Sequence, residues 1–144
     1  MRAVRATGQH GGVSDEVDRI HIHETINRHG HIVDVGAFDS LAEVFTEDVV
    51  YDVSALGGGV LSGPDAVARA GLALGDRNPL GHHVTNIVVL EIGLDRAHAH
   101  SKGLAVMSDG TTGSVVYEDE PRRTDKGWRI AVRRVLPRRQ PLSP

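Results

Sequence analysis

An α+β fold is predicted by three features of the chain. Apolar residues recur at helical spacing in its first half, the texture turns to long β-type segments from residue 82 onward, and short glycine-containing turns separate those segments. Helices and strands are therefore segregated along the sequence rather than alternating, which argues against a βαβ architecture. With 144 residues, 40% of them hydrophobic and 24% charged, the chain has the size and composition of one globular domain.

The elements follow in order. Residues 1–13 carry Gly8, Gly11 and Gly12 without a periodic apolar pattern and read as a flexible N-terminal arm. Ser14 and Asp15 offer an N-cap. Ile22, Ile26, His29 and Val33 then mark one face of a helix that ends near Asp34 to Gly36. Gly30 inside that helix costs about 1 kcal/mol relative to alanine. A second short helix fits Phe38 to Phe45, with Leu41, Val44 and Phe45 inward, and Asp48 to Val53 reads as a strand. Ala55 to Leu61 is a glycine-rich connection. Its Gly57-Gly58-Gly59 lacks the Lys-Ser/Thr of a phosphate loop and reads as a turn. Pro64 opens a third helix, with Val67, Ala70, Gly71 and Leu74 on its inner face. Four strands follow, at His82 to Ile92, Arg96 to Met107, Thr112 to Glu120 and Trp128 to Leu136, with residues 139–144 as a tail.

Composition excludes several function classes. The absence of cysteine rules out disulfides, thiolate metal sites and cysteine nucleophiles. The apolar stretches fall well short of the ~18 residues of a membrane helix, and the N-terminus has no apolar core of a secretory signal. A cytoplasmic protein with no membrane partner is expected. The formal charge of −3 gives no nucleic-acid footprint, and the basic run Arg133, Arg134, Arg138 and Arg139 reads as a solvated strand end.

Three segments carry a family likeness: Arg28 to Leu41 continuing through Val44 to Asp52, then Gly81-His82-His83-Val84-Thr85-Asn86, then Arg123 to Ile130. Together they resemble the SnoaL-like branch of the NTF2-like superfamily, over roughly residues 14–138. That branch holds scytalone dehydratase, bile-acid 7α-dehydratases and hexachlorocyclohexane dehydrochlorinase, beside the β subunits of ring-hydroxylating dioxygenases. The resemblance implies a single-domain cone, a curved antiparallel sheet packed against three helices around one mostly apolar pocket. It also implies a homo-oligomer, trimer or dimer, formed through the outer face of the sheet.

The eliminating members use an Asp–His pair. Aligning Leu41-Ala42 and Glu47-Asp48 puts Asp34 at the aspartate position. Aligning Leu90-Glu91-Ile92 puts His83 at the histidine position, with His82 one register away as the alternative. A neutral histidine is a base matched to neutral pH, and a carboxylate on its other nitrogen fixes the tautomer and stabilises the imidazolium. His83 is thus expected as general base and then acid, Asp34 as its orienting partner, and Tyr51 as the group that polarises a substrate oxygen. His29 stands where several dehydratases carry a tyrosine, and Val53 and Met107 stand where scytalone dehydratase carries a tyrosine and a second histidine. With His82 and Trp128 they are the expected substrate-binding positions.

His98 and His100 share a strand face with Lys102 and are expected to point to solvent or a subunit interface. His21, His23, His29 and His31 crowd the first helix, but His23-Glu24-Thr25-Ile26-Asn27 lacks the second histidine of a zinc motif, so no metal and no cofactor are expected. The implied activity is a cofactor-independent lyase or isomerase acting on a small hydrophobic carbonyl metabolite. The rival is a non-catalytic ligand-binding or assembly domain. A third reading, an epoxide hydrolase, needs an Asp–Arg–Asp set that the sequence does not place.

Overall fold

Asp15 and Glu16 place negative charge in the first turn of the opening helix, where the helix dipole favours it. The computed structural model describes residues 13–143, so the expected N-terminal arm lies, but for Val13, outside the described residues. Helix α1 (Val13–Asp34) leads into a 3-10 turn (Phe38–Glu43), β1 (Phe45–Asp52), a second 3-10 turn (Ser54–Leu56) and β2 (Val60–Ser62). Helix α2 (Pro64–Leu74) and a third 3-10 turn (Gly75–Arg77) precede β3 (Gly81–Ile92), β4 (Ala97–Val106), β5 (Thr112–Thr124) and β6 (Gly127–Arg138).

The six strands form one sheet in the order β2-β1-β6-β5-β4-β3. All neighbouring pairs are antiparallel except β1 and β6, which run parallel. The α+β architecture is as expected. The second segment differs: it is a 3-10 turn rather than an α-helix, because Phe45 already registers with Ile130 and the Ile130 N–H bonds the Val44 carbonyl at 2.7 Å. Leu41, Val44 and Phe45 are nevertheless buried. The three-residue β2, too short to show alternation, overlaps the end of the glycine-rich connection. On α2, Val67 is buried, but Leu74 is exposed rather than inward.

The core sits between α1 and the concave face of the sheet. Ile22 and Ile26 pack with Leu41, Val44, Phe45, Val49, Ala97, Ala99, Trp128 and Ile130. Three polar residues share the buried stripe of α1: Asp18, Thr25 and His29. Asp18 accepts hydrogen bonds from Trp128 Nε1 (3.0 Å) and Arg123 Nη2 (2.6 Å), and the Arg123 guanidinium also caps the Trp128 ring. Thr25 donates to the His21 and Trp128 carbonyls. The ring Nδ1 of His29 has no partner among the described residues.

Of the register shifts in the sheet, two bear on the site. Between Thr85 and Val88, β3 advances three residues while β4 advances two, from Lys102 to His100, and Asn86 takes φ 55° in this bulge. Between Pro121 and Glu120, β5 moves one residue while β6 moves two, from Ile130 to Val132. An extra residue in one strand reverses the facing of everything beyond it. Both bulges decide which side chains reach the interior.

Candidate functional site

Asp34 ends α1, and His82 follows the first residue of β3. The His82 backbone N–H lies 3.1 and 3.0 Å from the two Asp34 carboxylate oxygens, and His82 Nδ1 lies 2.6 Å from Asp34 Oδ1. The carboxylate thus holds one histidine by main chain and ring at once. With the Nδ1 proton directed at Asp34, Nε2 of a neutral ring carries the lone pair. Both side chains are mostly covered, 19% exposed for His82 and 23% for Asp34.

This corrects the sequence assignment. His83 was expected to face Asp34, but it is exposed, and His82 occupies that place. Counting by twos along β3 from buried Val89 reaches His83. The bulge at Asn86 shifts the count after Ile87, so that Val84 and His82 face inward in place of Thr85 and His83. The His83 ring folds out beside Gly81, where an added Cβ would stand 3.1 Å from His83 Nε2 and 3.8 Å from Asp34 Oδ2.

The pair borders a group of buried aromatic and charged side chains. The His29 ring, one helical turn before Asp34 and 2% exposed, lies 6.3 Å from the His82 ring, 5.5 Å from Phe45, 6.1 Å from Tyr51 and 6.4 Å from Tyr117, centroid to centroid. Burial and the neighbouring Arg133 cation hold His29 well below the ordinary histidine range, so its ring is neutral. Desolvation raises the Tyr51 phenol, which therefore stays protonated as a donor. Tyr117 is raised for the same reason, and its ring lies across Gly103, where any side chain would collide with it.

Arg133 was missed in the sequence, where it was grouped with a solvated basic run. Its side chain is fully buried, joined to the equally buried Asp119 by two hydrogen bonds of 2.7 Å, Nε to Oδ1 and Nη2 to Oδ2. Its guanidinium carbon stands 4.2 Å from the centre of the Tyr117 ring. Arg134, Arg138 and Arg139 are exposed as expected. The signal available in the sequence was Asp119, the middle acid of Glu118-Asp119-Glu120 and two residues from Tyr117, on a strand that registers with Arg133. Because Asp119 alone pairs with Arg133 among the described residues, an Asp–Arg–Asp set is not assembled.

The other expected positions are not all gathered here. Tyr51 is. Val53 lies beyond the end of β1, against Gly58, and Met107 lies in the turn after β4. Trp128 is buried and tied to Asp18, which lies roughly 24 Å from Asp34 along α1 at 1.5 Å per residue. It therefore serves the core at the far end of the helix. His98 and His100 are exposed on the outer face, His98 at 3.8 Å from Glu120. Among the described residues, no three ligating side chains gather as a metal would require, and no helix is long and apolar enough to cross a membrane.

Comparisons with known proteins agree with this fold. An aspartate-to-asparagine variant of Rv3472, a protein of unknown function from Mycobacterium tuberculosis, superposes with a TM-score of 0.77 at 25% identity, covering 92% of this chain and 79% of that one. The Kfla4162 protein from Kribbella flavida gives 0.75 at 26% identity, covering 88% and 95%. An NTF2-like protein with a cystatin-like fold from Novosphingobium aromaticivorans gives 0.71 at 29% identity, covering 87% and 84%. No curated protein matches the chain. The family model of the SnoaL-like domain matches residues 17–134, which span α1 through most of β6, and the chain belongs to the SnoaL-like family.

Proposed function

We propose that the chain is a cofactor-independent lyase or isomerase acting on a small hydrophobic carbonyl compound, with Asp34 and His82 as its acid–base pair. The observation that carries this reading is the 2.6 Å contact between Asp34 Oδ1 and His82 Nδ1, reinforced by the His82 backbone N–H on the same carboxylate. His82 Nε2 removes a proton from the carbon next to the carbonyl. Asp34 stabilises the imidazolium that forms, and the same nitrogen returns the proton to a leaving hydroxyl or to a neighbouring carbon. The protonated Tyr51 phenol donates to the oxygen on which negative charge develops. His83, exposed, takes no part.

The test is deuterium exchange and water loss, followed by NMR, across a panel of cyclic β-hydroxy ketones. Exchange that depends on both Asp34 and His82 supports the reading. Failure of every member of the panel overturns it in favour of a binding or assembly domain.

We further propose a homo-oligomer formed through the outer face of the sheet. Val50, Val88 and Leu104 are exposed there. Light scattering of the purified protein separates monomer, dimer and trimer.

A further inference from the structure

Helix α2 and the 3-10 turn that follows it are tied to the body of the fold at their two ends. The Gly63 N–H bonds the Val49 carbonyl at 2.8 Å, and the Leu80 N–H bonds the Val106 carbonyl at 2.8 Å. Between these anchors, among the described residues, no hydrogen bond or ion pair joins residues 64–79 to the body. The bonds of Asn78 are internal: its Nδ2 donates to the Gly71 and Gly75 carbonyls at 2.8 and 3.0 Å and ties the turn to the helix. Of the α2 side chains only Val67 is buried. A groove of about 630 Å³ separates Pro64, Asp65 and Arg69 from Asp39, Ala42 and Glu47 on the body. Gly63 and Gly75, at φ 82° and 52°, flank the helix in conformations that favour glycine. A segment with so few buried contacts opens at a lower free energy than the core does.

The segment ends at the acid–base pair. Leu80 stands two residues before His82, and Val35 follows Asp34, whose carboxylate lies 2.6 Å from the His82 ring. A residue spans at most about 3.6 Å of chain, so Leu80 and Val35 lie within about 8 Å of the main chain of the pair. Both side chains face water, Leu80 at 67% and Val35 at 78% exposed. Leu72 and Leu74 are exposed on the end of α2 that Asn78 holds, and Asn78 is itself only four residues before His82. Apolar side chains gathered in water are what an apolar ligand covers favourably. Asp76 and Arg77 stand side by side on the turn, so its charges cancel and an uncharged ligand suits it.

We propose that residues 64–79 form a lid, hinged at Gly63 and at the Leu80 anchor, that closes Leu72, Leu74 and Leu80 over an uncharged apolar ligand standing at Asp34 and His82. Closure keeps water from the pair while the ligand is bound. The inference rests on the lyase reading for the place of the pair and adds how its ligand is enclosed.

Hydrogen exchange of the full chain, followed by NMR, is the test. The α2 amides from Ala68 to Leu74 are expected to exchange together, at least about 100-fold faster than those of Ile22 to His29. Low urea should leave their rates unchanged, because local opening exposes little surface. N-phenyl-1-naphthylamine, an uncharged apolar fluorophore, is expected to bind and to slow exchange in α2 at least about tenfold. Leu72→Ser combined with Leu74→Ser, at exposed positions, should keep the Tm and weaken that binding at least about fivefold. If the double variant does not fold, exchange in the unaltered protein with and without the probe decides. Protection in α2 equal to that in α1, no binding of the probe, binding that leaves α2 exchange unchanged, or equal affinity in the double variant each overturn the lid. Probe binding and lid closure in a protein that exchanges no ketone α-proton would fell the lyase reading and leave the lid standing.

Discussion

Gly30 lies directly under His82: a Cβ at residue 30 would stand 2.6 Å from the His82 carbonyl oxygen. Alanine is a better helix former than glycine by about 1 kcal/mol, so on propensity alone Gly30 weakens α1. The close approach explains why it is glycine. Only a bare backbone lets the last turns of α1 rest on the start of β3 and bring Asp34 to His82. Gly30→Ala is therefore expected to destabilise the protein by about 1–3 kcal/mol, the range for overpacking, despite the gain in propensity. Thermal unfolding checks the sign, and an unchanged or raised Tm would refute the packing argument.

The two adjacent histidines should separate cleanly. Asp34→Asn and His82→Gln are each expected to lower turnover at least about 100-fold, the scale of a lost general base. His83→Gln, at an exposed position, should stay within about threefold of the unaltered protein. Steady-state rates on any substrate found by the exchange screen provide the comparison. A larger loss in His83→Gln than in His82→Gln would reverse the assignment.

The buried Asp119–Arg133 pair is expected to be costly to break singly. Asp119→Asn leaves an uncompensated cation in the interior and should destabilise by about 3–5 kcal/mol. Replacing both partners, Asp119→Leu with Arg133→Met, removes the stranded charge and should cost less than Asp119→Asn alone. Urea denaturation of the two proteins decides. Equal or larger loss in the double variant would mean that the pair adds stability beyond avoiding an unpaired charge.

Stability should also depend on pH through His29. Its pKa in the folded protein lies well below the ordinary 6.5, because burial and Arg133 oppose protonation. Below about pH 6.5 the unfolded chain binds this proton and the folded chain does not. The contribution is full above that pH and is lost as pH falls, at up to about 1.4 kcal/mol per pH unit. Denaturation between pH 7.5 and 5 should show a slope that is smaller in His29→Asn. An identical slope in both proteins would mean that His29 is protonated in the fold.

The sequence alone determined the α+β class, the helical stripe of Ile22, Ile26 and His29, the long strands, the family resemblance and Asp34 as the acid at the end of α1. The elements follow from local periodicity and composition, which the chain carries wherever it folds, and the place of Asp34 follows from the resemblance. The tertiary structure decided the rest of the site. Facing in a strand alternates with each residue, so one extra residue reverses it, and bulges are settled by pairing with a neighbouring strand. The bulge at Asn86 turned His82 inward and His83 outward. The irregularity between Ile130 and Val132 turned Arg133 from an expected surface position into the interior, where Asp119 on the adjacent strand neutralises it. Partnership across strands, not residue type, made the difference.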